Sequence, residues 1–429
     1  DPFFLSVYFF SNLFLDTMMN GFGRRLPRML LSSRRAYSTS VGDIFNPTPD
    51  HEALRQMVSN FVVNEVEPQA QEHDRLEKFN MELFKKCGEL GLLGITADGE
   101  YGGSHMDAVA ACIVHEELSK SDPGFCLAYL AHSMLLVNNL NFNGSEEQKS
   151  KFLPDICSGA KIGGMCMSEP NSGTDVLAMR TLARADGDEY VLNGSKMWIT
   201  NGYVNGELGD LYLVYAKTGD LDNTRDVSMF IVEKGMPGFS LGQQINNKCG
   251  MRASGTAELV FDNVRVPKAN IVGEKGNAVV CMMRNLEIER IVLAAMSVGI
   301  AARCMDVMAQ YSVDRKAFGK SLSNFGQIQK HLAESYAKYT AGRTYLYKVA
   351  NEMKLDQAGQ RLETDGVKLF CTTMGKEVAD SAIQVLGGYG YIGDYHVERL
   401  WRDSKLLEIG GGTLESQHKN MTREIVAGR

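Results

Sequence analysis

The sequence lacks the patterns that identify a disulfide-rich, metal-binding or nucleic-acid-binding protein. Its nine cysteines include no CxxC pair and no adjacent histidine cluster, so we predict reduced thiols, mostly in the core, and no metal site. The net charge of −7, with no basic run after residue 40, argues against a nucleic-acid partner. A length of 429 residues, with 44% hydrophobic and 23% charged residues, favours a soluble protein of two or three domains.

The amino terminus is not predicted to span a membrane. Residues 1–17 are apolar and aromatic, but this run is too short and too often interrupted by polar residues to cross a bilayer. It is either the hydrophobic part of a secretory signal or translated sequence that precedes the true start. The second interpretation is favoured, because residues 20–40 contain five arginines, several serines and no acidic residue, which is typical of a mitochondrial transit peptide.

We therefore predict a leader over residues 1–37 and a location in the mitochondrial matrix. Arg35 lies three positions before Ser38, as at a matrix-processing site, so cleavage is predicted there. The alternative for this segment is a basic disordered arm.

The first region after the leader has helical periodicity. It predicts helices over residues 51–72, 81–90, 106–119, 125–140 and 146–157, the last of them opened by a capping box at Ser145. The first of these helices is predicted to end near Pro68. We assign residues 38–160 to an amino-terminal helical domain.

Between about residues 160 and 275 the pattern changes to the period of two that is typical of strands. Strand candidates are residues 181–185, 190–192, 197–199, 211–216, 227–232 and 256–261. Their spacing predicts a small barrel or sandwich, and we assign residues 161–277 to a middle β domain. Helical patterns over residues 286–314, 325–355 and 362–386, followed by a short last helix, predict a helical bundle in residues 278–429.

The first of these long helices carries two glutamates with different surroundings. Glu289 lies within an apolar stripe, and no basic residue three or four positions away can pair with it. The stripe consists of Leu286, Leu293, Met296 and Ile300. A buried, unpaired carboxylate has a raised pKa and can act as a base near neutral pH; the alternative is that Glu289 meets an arginine from another element. Glu287 has Arg284 and Arg290 three positions away and is predicted to lie at a wet surface.

Three other segments have compositions suited to a ligand. The loop MCMSEPNSGTD at residues 165–175 is rich in backbone donors and hydroxyls, which suits a planar heteroaromatic ring with carbonyl and imide edges. Trp198 lies next to a hydroxyl and a turn, although a tryptophan in a strand is usually core. Glycine-rich turns at residues 387–390 and 410–412 either allow backbone to approach a phosphate or simply connect helices. The first is not GxGxxG after a strand, so a Rossmann site is excluded.

Taken together, these segments resemble the acyl-CoA dehydrogenase family over roughly residues 50–429. The resemblance rests on the ordered motifs Tyr101-Gly102-Gly103, MSEPNSGTD, WITNG, Arg315-Lys316-Ala317-Phe318-Gly319, QVLGGYGY and Arg402-Asp403. It implies an α+β multi-domain fold: an amino-terminal α-helical domain, a middle β-barrel-like domain and a carboxy-terminal four-helix bundle. It also implies FAD bound between subunits of a homo-oligomer, usually a tetramer. The implied reaction oxidises an acyl-CoA to the trans-2-enoyl-CoA and passes electrons to electron-transfer flavoprotein.

The resemblance also implies which residues bind FAD. Those that line the flavin ring are Met165, Cys166, Met167, Ser168, Gly173, Thr174, Trp198, Ile199 and Thr200. Those that hold the adenine and pyrophosphate part from a neighbouring subunit are Arg315, Phe318, Gln384, Val385, Leu386, Gly387 and Gly388, while Thr413 and Glu415 return to the first subunit's FAD. Relatives place a flavin-contacting glutamine where this chain has Gly326; either Gln327 substitutes or the contact is lost.

A second departure concerns the catalytic base. Most members carry it as Glu-Gly-Thr before the last helix, whereas this chain has Gly411-Gly412-Thr413. The isovaleryl-CoA dehydrogenase branch carries it as Glu-Arg in the first long carboxy-terminal helix, which matches Glu289-Arg290. This resemblance implies Glu289 as the base and conversion of isovaleryl-CoA, a short branched-chain thioester of leucine catabolism, to 3-methylcrotonyl-CoA. The alternatives are an acyl-CoA dehydrogenase for long or short straight chains, or a non-catalytic assembly factor on the same fold.

The residues that the resemblance places near the substrate form a second set. Thr174 lies near both flavin and substrate, Arg225 meets the CoA phosphates, and the backbone N–H of Gly411 donates to the thioester carbonyl. A glycine at position 411 leaves room for a methyl branch. The remaining members of the set are Val280, Glu287, Ile288, Arg290 and Gly412.

Overall fold

The computed structural model describes residues 43–221, 223 and 225–428. The predicted leader at residues 1–37 and its cleavage site lie outside these residues. All nine cysteines lie inside them as free thiols, and all except Cys249 and Cys281 are buried, as predicted for core thiols.

Helices form the amino-terminal part of the described chain. They are α1 (Pro49–Phe61), α2 (Glu67–Leu76), α3 (Met81–Glu89), α4 (Ala108–Ser119), α5 (Pro123–Leu130), α6 (Asn138–Asn143) and α7 (Glu146–Cys157). At the start of α7 the Ser145 side chain accepts from the N–H of Gln148, and the Gln148 side chain accepts from the N–H of Ser145. The predicted capping box is therefore confirmed.

Two π-helical turns divide helices that the periodicity predicts as continuous. Val62–Val66 separates α1 from α2, and Ala131–Val137 separates α5 from α6. The predicted end of the first helix near Pro68 is wrong, because a new helix begins at Glu67 and Pro68 lies in its first turn. The N–H that proline lacks is not needed there, so the chain stays helical to Leu76.

Strands form the middle region. They are β1 (Gly163–Cys166), β2 (Leu182–Asp186), β3 (Glu189–Thr200), β4 (Tyr203–Val204), β5 (Glu207–Leu208), β6 (Leu211–Lys217), β7 (Val227–Glu233), β8 (Phe239–Gln244), β9 (Thr256–Pro267) and β10 (Ile271–Val272). The main sheet has eight strands in the order β10-β7-β6-β2-β3-β9-β8, with β1 parallel to β6. The strands predicted over residues 190–192 and 197–199 belong to a single strand, β3. β-Bulges in its pairing with β9 allow the strand to continue through the residues between them. The pattern does not predict β1, which is buried throughout, or β8, which is mostly accessible.

Helices also form the carboxy-terminal part. They are α8 (Ala278–Asp314), α9 (Gly326–Glu352), α10 (Arg361–Leu386), α11 (Val397–Leu407) and α12 (Leu414–Val426), and a hairpin of β11 (Lys316–Ala317) and β12 (Lys320–Ser321) follows α8. α8 begins at Ala278 rather than at residue 286. The reason is that Ala278 and Met282 are buried in a core shared with β-strand residues such as Val227 and Met229.

One hydrophobic core joins the two helical regions. It contains residues of α1, α4 and α5 together with residues of α8, α9 and α10. Among the described residues, α8 is the one helix long and apolar enough to cross a membrane, but 78% of its most apolar window is buried inside the protein. α8 is thus a core helix that packs against helices of both regions, and Glu289 lies in its first half.

Candidate active site

Glu289 is a buried carboxyl group with an unpartnered oxygen. The residue is 8% exposed, and its Oε2 makes no hydrogen bond within the described chain. Burial raises its pKa to about 7, while the positive charges of Arg290 and Lys368 act in the opposite direction. The described residues place no arginine of another element in an ion pair with it, so the alternative interpretation of Glu289 is not observed.

The glycine loop, residues 410–412, packs directly against this carboxyl. Gly411 has a φ of +64°, a left-handed conformation that residues with side chains rarely adopt. A Cβ at position 411 would lie 2.6 Å from Leu293 Cδ1 and 3.5 Å from Glu289 Cδ. The two candidate base positions therefore adjoin in space although they are far apart in the sequence, and a side chain at 411 would require Leu293 to move.

Three side chains hold the glycine loop by its carbonyl oxygens. Gln417 Nε2 donates to the oxygens of Gly411 and Gly412 over 3.3 and 2.9 Å. Arg290 Nε donates to Gly411 O over 3.5 Å, and Lys368 Nζ donates to Gly412 O. The loop is thus fixed from α8, α10 and α12 at once.

Glu287 does not lie at a wet surface, so that prediction is wrong. Its side chain is buried and accepts hydrogen bonds of 3.2 Å from the backbone N–H groups of Gly359 and Gln360. The two arginines expected to hold it have other partners, Asn143 for Arg284 and Asp365 for Arg290. The prediction failed because helical spacing identifies only neighbours along α8. The segment that precedes α10 covers the face of α8 on which Glu287 lies.

A buried ion pair fixes the loop at residues 165–175. The Glu169 carboxylate accepts from Lys196 Nζ at 2.8 Å and from the backbone N–H groups of residues 180 and 181 at 2.6 and 2.9 Å. In addition, the N–H of Met197 donates to Ser168 O at 2.8 Å. These contacts anchor the loop to β3 and leave its outer part accessible.

The residues predicted to line the flavin ring differ in their exposure to solvent. Met165, Cys166 and Ile199 are buried, Met167, Ser168 and Thr200 are half-buried, and Gly173, Thr174 and Trp198 are exposed. Trp198 lies at a bulge in β3 with a φ of +64°, and it is 61% exposed. The bulge turns the ring out of the strand's core face, so Trp198 is not an ordinary core tryptophan.

Most of the predicted adenine and pyrophosphate residues line one cavity of about 380 Å³. Its walls are formed by Tyr311, Arg315, Leu322, Val385, Leu386, Gly387, Gly388, Tyr389 and Ile392. A Cβ at Gly387 or Gly388 would meet nothing of the described chain within 4 Å, so a ligand can approach this backbone closely. The guanidinium of Arg315 provides the cation that an anionic pyrophosphate requires.

The other predicted cofactor residues lie at the surface of the chain. Phe318 is 95% exposed in the turn between β11 and β12. Gln384 and Gln327 are exposed in the last turn of α10 and the first turn of α9. Thr413 caps α12 by accepting from the N–H of Ser416 at 3.3 Å, and Glu415 is exposed in the following turn.

Comparison with known proteins identifies the family. Residues 48–160, 164–264 and 277–426 match the models of the acyl-CoA dehydrogenase N-terminal, middle and C-terminal domains. The chain belongs to the acyl-CoA dehydrogenase family. This match confirms the predicted fold class, in which an acyl-CoA dehydrogenase middle domain lies between two helical domains.

Named acyl-CoA dehydrogenases are similar over most of the chain. The mitochondrial isovaleryl-CoA dehydrogenase of Oryza sativa subsp. japonica is 40% identical over 92% of this chain and 95% of its own length. The short-chain specific acyl-CoA dehydrogenase of Clostridium acetobutylicum is 41% identical over 87% of this chain and 97% of its own. The structure of butyryl-CoA dehydrogenase from Megasphaera elsdenii matches with a TM-score of 0.84 at 32% identity, covering 91% of this chain and 100% of that one.

As an acyl-CoA dehydrogenase, the protein is a flavoprotein oxidoreductase that acts on acyl-CoA. Its residues fit FAD at two places. The loop before β2 and Trp198 present donors and an exposed ring for the flavin, and the cavity at Arg315 and Gly387 suits an anionic pyrophosphate.

The predicted substrate residues lie in different surroundings. Ile288 is buried in the core that joins the helical regions, whereas Val280 is exposed in the first turn of α8. Arg225 lines a cavity of about 350 Å³ together with Lys275. The sequence did not point to Lys275, which gives this cavity a second cation suited to a phosphate.

Lys368 and Gln417 are the residues of the site that sequence reasoning missed. Both are fully buried polar side chains on helices, and each contacts the glycine loop. The available signal was weak: Lys368 interrupts the otherwise mostly apolar stretch VKLFC of α10.

Proposed function

We propose that the protein catalyses the FAD-dependent α,β-dehydrogenation of isovaleryl-CoA to 3-methylcrotonyl-CoA and passes the electrons to electron-transfer flavoprotein. The observation that carries the proposal is the contact between Glu289 and the glycine loop. A buried carboxyl with a pKa of about 7 lies beside Gly411, the position at which the family resemblance implies the base of most members. A buried carboxyl without a close partner costs stability, which favours a catalytic protein over a non-catalytic assembly factor.

Glu289 is the general base of this reaction. The α-proton of a thioester is weakly acidic, so its removal requires a well-placed base and donors to the carbonyl oxygen on which charge develops. A pKa of about 7 leaves much of Glu289 ionised at neutral pH and makes it a stronger base than a surface glutamate. Gly411, on the held glycine loop, donates its backbone N–H to the thioester carbonyl. Bound FAD would supply the acceptor for the hydride that leaves the β-carbon.

The space around residue 411 favours a short branched acyl chain. Because Gly411 has no side chain, an acyl chain can approach its backbone closely, and the part of this space that Leu293 does not occupy is available to a methyl branch. Leu293 limits this volume, since its Cδ1 lies 2.6 Å from the position of a Cβ at residue 411. A small branch therefore fits better than a larger group.

We also propose a homotetramer in the mitochondrial matrix. Phe318, Trp198 and Tyr391 are large exposed aromatic side chains, which a second subunit or a shared cofactor would remove from water. The arginine-rich leader and the similarity to a mitochondrial relative support the location.

A substrate series with the purified, FAD-loaded protein tests the proposal. We expect isovaleryl-CoA to bleach the flavin absorbance under anaerobic conditions. With an artificial electron acceptor, kcat/KM should be highest for this thioester among straight and branched chains. A maximum at long straight chains would overturn the isovaleryl assignment.

The role of Glu289 is tested with a matched pair of carboxylate-to-amide variants. Glu289→Gln should lose about 10²- to 10⁴-fold in activity, as expected when a general base is removed. Glu72→Gln, at an exposed position of α2, should keep the activity of the wild type. Full activity of Glu289→Gln would exclude Glu289 as the base.

A further inference from the structure

Lys368, in α10, is a fully buried lysine next to the catalytic carboxyl. It is 0% exposed, and its Nζ donates to Gly412 O in the glycine loop. Lysine is almost never fully buried unless it is paired, because its ammonium group loses its hydration. The hydrogen bond to Gly412 does not explain why a charged side chain is buried here, because a neutral donor serves the same oxygen: the amide of Gln417 donates to it at 2.9 Å.

The other carboxylates near Lys368 have cations of their own. Asp365 pairs with Arg290 at 2.8 Å, and Glu408 pairs with two other lysines at 2.9 and 2.6 Å. The Asp365 oxygens also lack well-aligned hydrogen bonds, but arginines lie 2.8 and 3.8 Å from them, whereas Glu289 Oε2 has neither a hydrogen bond nor an ion pair within the described chain. The charge of Lys368 is therefore available to Glu289, and the two groups interact electrostatically.

We propose that Lys368 is a positioning residue for Glu289: its ammonium group fixes the glycine loop against the carboxyl and, together with Arg290, supplies buried positive charge that helps the carboxyl to ionise. The inference rests on the proposed function, in which Glu289 is the base. It assigns Lys368 no contact with the reacting atoms.

Few charged groups surround Glu289, so the loss of one should be measurable. Arg290 on α8 and Lys368 on α10 act on it directly, and the nearby Tyr215 hydroxyl on β6 stays neutral because burial raises its pKa. Glu287, Asp365 and Glu408 act on the two cations instead. The glycine loop and Gln417 present only backbone and amide groups. Burial lowers the pKa of Lys368 and raises that of Glu289, while the charge of each group opposes the shift of the other and favours its charged form. Removal of the lysine charge should therefore raise the pKa of Glu289.

The pH dependence of flavin reduction by isovaleryl-CoA tests this effect in the FAD-loaded enzyme. In Lys368→Met the acid limb of the rate should move to higher pH by about one unit or more. Lys368→Arg keeps the charge and should move the limb less. Gln417→Leu is the matched control, because it removes neutral donors from the same loop and should slow reduction without moving the limb. An unmoved limb in Lys368→Met would overturn the proposal.

A second test uses no substrate, so it separates a failure of this inference from a failure of the proposed function. At pH 8, Lys368→Met should lower the thermal unfolding midpoint of the FAD-loaded protein more in the wild-type background than in Glu289→Gln, where the lysine has lost its carboxyl. Equal effects in both backgrounds, or failure of both Lys368→Met proteins to fold, would show a merely structural lysine. If the two effects differ but isovaleryl-CoA does not reduce the wild type, the inference stands and the proposed substrate is wrong.

Discussion

At alkaline pH, Glu289→Gln should be more stable than the wild type although it is inactive. The ordinary pKa of a glutamate is 4.5, and burial raises that of Glu289 to about 7. Between these values the unfolded chain loses the proton while the folded chain keeps it, so the free energy of unfolding falls as the pH rises. One pKa unit corresponds to about 1.4 kcal/mol, so the wild type loses up to about 3 kcal/mol between pH 4 and pH 8. Glutamine does not titrate and avoids this loss.

Lys368 offsets part of the gain, because Glu289→Gln leaves this buried cation without its carboxylate. We therefore expect a net stabilisation of about 1–3 kcal/mol at pH 8 and almost none at pH 4. The assay is thermal unfolding of both FAD-loaded proteins across this pH range at equal protein concentration, because ligand and subunit concentrations shift the midpoint. A variant less stable than the wild type at pH 8, or a difference that does not change with pH, would refute the assignment of a desolvated carboxyl.

Two further substitutions test the loops of the site. In Gly411→Ala the left-handed backbone costs about 1–2 kcal/mol, and the approach of the Cβ to Leu293 Cδ1 at 2.6 Å adds to this; we expect a lower thermal midpoint and a lower kcat/KM for isovaleryl-CoA. Glu169→Gln should leave Lys196 buried without its carboxylate, which costs about 3–5 kcal/mol for a broken buried pair. That variant should also lose FAD more readily during gel filtration, since the flavin-lining loop is no longer anchored.

Matched controls distinguish these effects from general damage. Gly99→Ala places a side chain at an exposed position where the backbone is not left-handed and where a Cβ meets nothing of the described chain within 4 Å, so it should leave the midpoint unchanged. Asp188→Asn removes an exposed ion pair with Lys268 and should change neither the midpoint nor FAD retention. If the controls lowered the thermal midpoint or FAD retention as much as the test variants do, two explanations would be contradicted: the left-handed backbone at Gly411 and the buried ion pair at Glu169.

The order of helices and strands could be predicted from the sequence because periodicity and capping are local properties. The capping box at Ser145 and the strands β6 and β7 are examples. The π turn at Val62–Val66 could not be predicted, because it keeps the helical spacing of apolar residues almost unchanged. The start of α8 at Ala278 was missed for another reason: burial against the β domain, and not local pattern, extends the helix there.

By itself, the sequence determined that a glutamate with no basic residue three or four positions away lies on the apolar face of a long helix and that glycine occupies position 411. Only the tertiary structure decided that these two positions touch, that Glu287 is covered by the segment before α10, and that Lys368 is buried beside the glycine loop that packs on Glu289. The physical reason is that periodicity reports neighbours within one element. The pKa of Glu289, in contrast, is set by desolvation and charge from α10 and the glycine loop, which are distant in the chain.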